Sequence, residues 1–202
     1  MSADDVRRVW DAEAPTYDQA PDHGLLDPVA RAAWADVLAT ALGPASLRVV
    51  EMGCGTATVA DLLADLGHRV DGIDLSPAML DVGRAKVARH GDAVRLLEGD
   101  GQDPRPPDPT YDAVVCRHVL WALPDPTLAV ERWLRLLAGG GRLVLVEGSW
   151  HTGAGLRAAE VVALLSDAGL DPVVVPLTDP VLWGGEIVDE RYLVTAEVAR
   201  PG

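Results

Sequence analysis

From residue 47 onward the chain alternates short apolar runs with stretches of helical period, and few folds accommodate that alternation. Arg48–Met52 (RVVEM) reads as a strand. Val59, Leu62, Leu63 and Leu66 then recur at the spacing of one helix face, and Gly67 stands where a helix ends on a left-handed residue. Arg69–Leu75 is a second strand, after which Ser76 and Pro77 supply an N-cap and a first-turn proline for a helix to about His90. Ala93–Glu98, Tyr111–Cys116 and Arg142–Glu147 read as strands three to five. Between them lie a proline-rich loop at Asp103–Pro109, a helix over about Pro126–Ala138 and a turn at Gly139–Gly141. A further helix presents Val161, Leu164, Leu165 and Ala168 on one face, before two last strands at Pro172–Leu177 and Tyr192–Val198. Strands separated by helices require crossover connections and a mainly parallel sheet. The last two strands lack a helix between them and are expected to pair antiparallel at the sheet's edge. Ahead of residue 47 the chain reads as helical, near Asp4–Glu13 and where Ala30, Ala33, Trp34, Val37 and Ala41 share a face.

Composition narrows the partners. With 202 residues, 49% of them hydrophobic, the chain can bury the core of one domain with a small appendage. No uncharged apolar run reaches the length of a membrane helix, and the acidic start lacks the features of a signal peptide, so a cytoplasmic location is expected. A formal net charge of −14 repels phosphate backbones, which argues against nucleic acid as a partner. Cys54 and Cys116 make no disulfide framework and read as small buried thiols; no Cys/His spacing suggests a metal site.

The most informative segment is Val49-Val-Glu-Met-Gly-Cys-Gly-Thr-Ala57. A strand runs into Gly53 and Gly55 and a helix follows at once. Glycines there let backbone approach a ligand closely, and the helix start offers free N–H groups. Asp74 ends the second strand at a spacing from Glu51 close to the roughly 20 residues seen in dinucleotide sites, where such an acid accepts ribose hydroxyls. Glu98-Gly-Asp100-Gly-Gln102 ends the third strand. Three successive strands thus carry polar residues to the carboxyl edge of the sheet, where open α/β sheets bind ligands.

These residues resemble the class I S-adenosylmethionine-dependent methyltransferases of small-molecule type. The first motif stands as Glu51-Met-Gly53-Cys54-Gly55-Thr-Ala57, the second as Gly72-Ile-Asp74-Leu75-Ser-Pro-Ala-Met79 and the third as Glu98-Gly-Asp100-Gly101-Gln102. The fourth strand, Tyr111-Asp-Ala-Val-Val-Cys-Arg117-His118-Val-Leu-Trp121, and the turn Leu136-Leu-Ala-Gly139-Gly-Gly-Arg142 follow in family order. Ala57 departs from the third glycine that many members carry. The resemblance implies a Rossmann-like seven-stranded, mostly parallel sheet with an antiparallel final strand and helices on both faces. It implies an N-terminal helical lid over residues 1–45 and a cofactor-binding methyltransferase domain over 46–202.

The same resemblance implies S-adenosylmethionine as cofactor. Glu51 and the Gly53-Cys54-Gly55 turn would hold its amino acid end, Asp74 its ribose, Leu75 and Met79 the side of its adenine. Asp100, flanked by Gly101 and Gln102, would meet the adenine amino group, and Arg117 and His118 would lie under the methionine part. The segment Val9-Trp10…Ala14-Pro-Thr-Tyr17-Asp18 resembles the family's lid, in which Tyr17 approaches the cofactor and Arg31 pairs with its carboxylate.

A methyl sulfonium is already electrophilic, so the protein mainly aligns a nucleophile and excludes water. A base is needed only for a protonated acceptor such as a phenol or alcohol. His118 and His151, beyond the fourth and fifth strands, are the expected catalytic candidates, with His23 as a third; His68 and His90 read as surface residues. Trp10, Trp121 and Trp150 are the expected substrate contacts. Only Gly148–Gly155 separates the fifth strand from its helix, so the first 45 residues, with the loop Thr178–Arg191, are the expected cover. The expected activity is methyl transfer to oxygen, nitrogen or carbon of a small molecule, with a homodimer as a candidate assembly; the alternative is a fold of this type that binds the cofactor or a protein partner without methyl transfer.

Overall fold

The computed structural model describes residues 2–106 and 110–200; residues 107–109, the end of the proline-rich loop, lie outside the described residues. Strands β1 (Arg48–Met52), β2 (Arg69–Asp74), β3 (Val94–Glu98), β4 (Tyr111–Arg117), β5 (Leu137–Ser149), β6 (Val173–Pro176) and β7 (Glu190–Glu197) form one sheet. Their order is β3-β2-β1-β4-β5-β7-β6. The first five are parallel. β7 runs antiparallel to both β5 and β6, so the expected antiparallel pair is present and β6 is the outer strand.

Adjacent valines of β1 serve different cores, because successive side chains leave a strand on opposite faces. Val49 joins Trp34, Leu38, Leu62 and Leu63 beneath α3 (Pro28–Leu42) and α4 (Thr58–Asp65). α5 (Pro77–Val87) adds Val87 to that core. Val50 joins Val130, Trp133, Val161 and Leu165 from α6 (Pro126–Leu134) and α7 (Ala158–Asp167) on the other face. Helices thus cover both faces. At the N-terminus, α1 (Ala3–Glu13) starts with a capping box between Ser2 and Asp5 and fully buries none of its residues. A single turn, α2 (Pro21–Gly24), leads into α3.

The start of β5 differs from the sequence reading. Gly139–Gly141 do not form a separate turn; they lie within β5, which begins at Leu137. The register against β4 jumps between Tyr111 and Ala113, whose partners are Leu137 and Arg142. Gly140 takes a left-handed φ of 83° in this bulge, which glycine tolerates without a Cβ clash, and Gly140 and Gly141 still bond to Val198. α5 ends at Val87, three residues short of the expected end, and continues as 3-10 turns interrupted by Gly91. The two histidines read as surface groups are tied down. His68 is 3% exposed and its Nδ1 accepts from the Leu47 N–H at 3.2 Å, while the His90 Nε2 lies 2.8 Å from Asp61.

Among the described residues, no helix is long and apolar enough to cross a membrane. The parallel strand order reverses between β1 and β4, which leaves a crevice at the carboxyl ends of the strands there. One core side chain links α6 to that crevice: Trp133, fully buried, donates from Nε1 to the Gly101 carbonyl at 2.7 Å. Trp133→Ala is expected to cost about 3–5 kcal/mol, from lost burial and an unfilled cavity. Urea unfolding of the variant against wild type measures this.

Candidate active site

The turn after β1 is left-handed at Gly53, Gly55 and Ala57, with φ of 65°, 54° and 60°. At Gly53 a Cβ would overlap Cγ2 of Val119, so only glycine lets the turns after β1 and β4 meet. Ala57, where the sequence departs from the family pattern, adopts the left-handed conformation itself, at an expense of about 1–2 kcal/mol. It stands at the N-terminus of α4.

The Asp74 carboxylate spans the mouth of this turn. Its Oδ2 accepts from the Gly55 N–H and its Oδ1 from the Ser76 N–H, both at 2.8 Å. Burial raises its pKa, and the backbone donors pull the other way. Leu75 and Met79 follow on the same wall. Beyond β3, Asp100 accepts from the Gln102 N–H through Oδ1. These groups, with Gly53, Gly55, Gly101, Trp10, Tyr17, Arg117 and His118, line one cavity of about 120 Å³.

A second, smaller hollow of about 20 Å³ lies behind the glycine turn, walled by Tyr17, His23, Glu51, Cys54, Thr56 and Arg117. Glu51 Oε2 and Arg117 Nη1 are both buried and, among the described residues, without a hydrogen-bond partner. Burial pushes the Glu51 carboxyl up to about 8, opposed by the nearby Arg117 charge. A carboxyl oxygen and a guanidinium nitrogen, each without a partner beside one turn, fit an ammonium and a carboxylate, the two ends of an α-amino acid.

His118 follows β4 at φ 61°, a conformation that non-glycine residues take rarely and chiefly where their surroundings enforce it. Trp183 stacks on its ring at 5.8 Å between centroids, and Trp150 meets it edge-on at 5.3 Å. Burial, with the Arg117 charge beside it, holds its pKa well below 6.5, so the imidazole is neutral.

The N-terminal segment closes over this wall through polar ties. Asp11 accepts from Ser76 Oγ at 2.6 Å. Asp18 accepts from Thr56 Oγ1 at 2.5 Å and pairs with Lys86, the chain's one lysine, at 2.8 Å. Arg117 Nη2 donates to the Asp22 carbonyl at 2.6 Å. Tyr17 stacks on His23 at 4.2 Å and meets Trp10 edge-on.

The side chains of five expected site residues turn away from this cavity. Arg31 is held 2.7 Å from both Asp61 and Asp65, so its charge is spent on joining α3 to α4. His151 has a side chain 73% exposed and sits 3.6 Å from Asp189, away from the cavity. Gln102 turns its side chain to the Asp125 N–H, at the start of α6. Trp121 donates to the His118 carbonyl at 2.9 Å and packs on Trp150, so both tryptophans buttress His118 instead of lining the cavity. The sequence reading missed Val119 and Leu123 on the cavity wall, and Glu147 and Trp183 behind it. Glu147 carried a signal: like Glu51, it is an acid closing an apolar strand.

A larger hollow of about 760 Å³ opens between α3 and strands β6 and β7. Its main basic group, Arg142, is already bonded to Glu197 and the Ala41 carbonyl. The 120 Å³ cavity is the candidate site, because it lies at the strand-order reversal, is lined by the strained turn and shares Tyr17, Gly53 and Arg117 with the hollow that holds Glu51. No group of three or more His, Cys, Asp or Glu that could hold a metal occurs among the described residues.

Comparison with known proteins agrees with this geometry. A family model described as a methyltransferase domain matches residues 50–145. The chain is 30% identical over 190 residues to the ubiquinone biosynthesis O-methyltransferase of Xanthomonas axonopodis pv. citri, covering 82% of this chain and 76% of that protein. The N-methyltransferase NodS from Bradyrhizobium japonicum, solved with S-adenosyl-L-homocysteine, has a TM-score of 0.72 and 21% identity, over 94% of this chain and 98% of its own. Magnesium protoporphyrin IX methyltransferase from Synechocystis, solved with S-adenosylmethionine, has a TM-score of 0.74 and 18% identity, over 98% of each chain. The two solved structures show the shared fold, and the curated relative shows the family. The chain belongs to the class I S-adenosylmethionine-dependent methyltransferases, among the members that act on small molecules.

Proposed function

We propose that this methyltransferase acts on a hydroxyl group, of phenolic type, carried by a small and largely apolar acceptor. The observation that carries the reading is His118: a neutral imidazole on the cavity wall, at the end of β4, held in a strained conformation between two indoles. A neutral imidazole accepts a hydroxyl proton, whereas an imidazolium cannot. Trp10, Tyr17, Val119 and Leu123 make the remaining wall apolar and aromatic, which favours a flat ring. The O-methyltransferase name of the curated relative points the same way.

The bound cofactor supplies an electrophilic methyl sulfonium. In this reading Glu51 Oε2 accepts from the ammonium of its amino acid end, and Arg117 Nη1, not Arg31, donates to the carboxylate. Asp74 accepts from the ribose hydroxyls, Leu75 and Met79 pack beside the adenine, and Asp100 accepts from its amino group. His118 takes the acceptor's proton and passes it to solvent, since burial leaves it a poor keeper of protons. Residues 1–45 act as the lid over the domain spanning 46–202, and Trp10 and Tyr17 exclude water from above. The net charge of −14 keeps polyanions away, and the cytoplasm is the location this reading assigns.

Three outcomes test it. S-adenosylhomocysteine at 100 times its dissociation constant should add about 2.7 kcal/mol of stability, read as a rise in melting temperature, while NAD adds none. His118→Ala should lower kcat on a responsive phenol by about 10²–10⁴-fold with little change in S-adenosylhomocysteine affinity; unchanged turnover would refute the role. Glu51 makes the third, through linkage. Its pKa in the fold, about 8, lies above its ordinary 4.5. The fold therefore holds a proton that the unfolded chain releases, and stability falls as pH rises from about 4.5 through about 8. Glu51→Gln, which mimics the protonated form, should flatten that decline in the cofactor-free protein, as measured by urea unfolding across the range.

A further inference from the structure

We propose that Glu147 is a positioning residue that holds His118 in its working conformation. The inference rests on the acceptor-side role given above to His118. β4 and β5 pair in parallel as far as Arg117 and Val146. One residue further the chain leaves the ladder at the left-handed His118, so the next amides lose their strand partners. The His118 N–H still reaches the Val146 carbonyl, at 2.9 Å. The two amides that follow turn to the Glu147 side chain, whose Oε1 accepts from Val119 at 3.1 Å and from Leu120 at 2.8 Å. Two adjacent residues of β5 therefore ground three consecutive amides of the turn. A left-handed non-glycine residue persists where its surroundings over-determine it, and this carboxyl supplies much of that determination.

The choice of a carboxyl is informative. Glu147 is 0% exposed, and among the described residues no basic side chain stands within ion-pair distance. Its Oε2 is buried without a partner, and burial pushes its pKa up to about 8. An acid in that setting is expensive to bury, and where packing alone matters an apolar residue of similar volume serves as well or better. What Leu or Met lacks is an oxygen that accepts from two neighbouring amides. The turn so held carries Val119 against Gly53 and His118, Val119 and Leu123 on the cavity wall.

The test follows the ring and the amides directly, with no acceptor required. Histidine side-chain NMR is recorded from about pH 5 to about 8 on wild type, Glu147→Gln and Glu147→Leu. In wild type burial holds the His118 pKa well below 6.5, and the ring stays neutral near pH 7. Glu147→Gln keeps an accepting oxygen and should preserve that signature. Glu147→Leu should release the turn, so that the His118 pKa rises from its wild-type position toward the ordinary histidine value. A folded Glu147→Leu protein whose His118 stays neutral, or a Glu147→Gln protein that behaves like Glu147→Leu, overturns the proposal. Should the leucine variant fail to fold, hydrogen exchange on wild type decides: Val119 and Leu120 amides protected like those of Val144 support it, and exchange at open-loop rates overturns it. Loss of the His118 catalytic role would show separately, as unchanged turnover in His118→Ala, and would leave these NMR results standing.

Discussion

The contact between Val119 and the bare backbone of Gly53 is the constraint on which the site depends. It brings together the exits of β1 and β4, neighbours at the point where strand order reverses. Both exits are left-handed, at Gly53 and at His118, so each strand ends abruptly and turns its next residues toward the other. A methyl group on Gly53 would push the turns apart, and with them the two groups of polar atoms they carry. Glu51 and Asp74 belong to one side of that contact, Arg117 and His118 to the other. The site is thus assembled by a close approach of main chains, and the side chains are placed as a consequence.

Electrostatics then sorts a strongly acidic chain into two populations. One set of carboxylates spends its charge on neighbours: Asp61 and Asp65 on Arg31 and Arg89, Asp189 on Arg191. Glu51 and Glu147, near the ends of β1 and β5, lack such an ion-pair partner, and burial raises both to about 8. One faces a hollow walled by Arg117, whose Nη1 has no partner among the described residues, the other a pair of main-chain amides. The same residue type near the ends of two strands therefore does two jobs, set by what the adjacent strand exit presents.

The fold was readable because its signals are local. Strand, glycine turn and helix follow one another within residues 48–66, and Asp74 and Asp100 each stand at a strand end, so their convergence follows from parallel topology alone. What could not be read rests on distant partners. Arg31 looked free for a carboxylate until Asp61 and Asp65, on another helix, came within 2.7 Å. Trp121 and Trp150 looked like acceptor contacts because they follow strands at the right edge, yet they pack on each other behind His118. The glycine run at 139–141 carries a turn signal, but a bulge in a long strand needs the same left-handed freedom.

The N-terminal segment completes the argument through what it fails to bury. The cavity beneath it, about 120 Å³, is smaller than the roughly 300–1,000 Å³ typical of small-molecule sites. Cofactor and acceptor together need more room, and the sheet and its packed helices cannot yield it without breaking a core. α1 can, because no residue of it is fully buried and a few polar ties hold it: Asp11 on Ser76, and, just beyond the helix, Asp18 on Thr56 and Lys86. Elements with few buried contacts open at low free energy while the rest stays folded. These ties end at the first turn of α5 and beside the glycine turn, next to Asp74. In the proposed reading, opening of this segment would expose the edge of the cavity beside Asp74, and closing would bring Trp10 and Tyr17 back over the wall that carries His118.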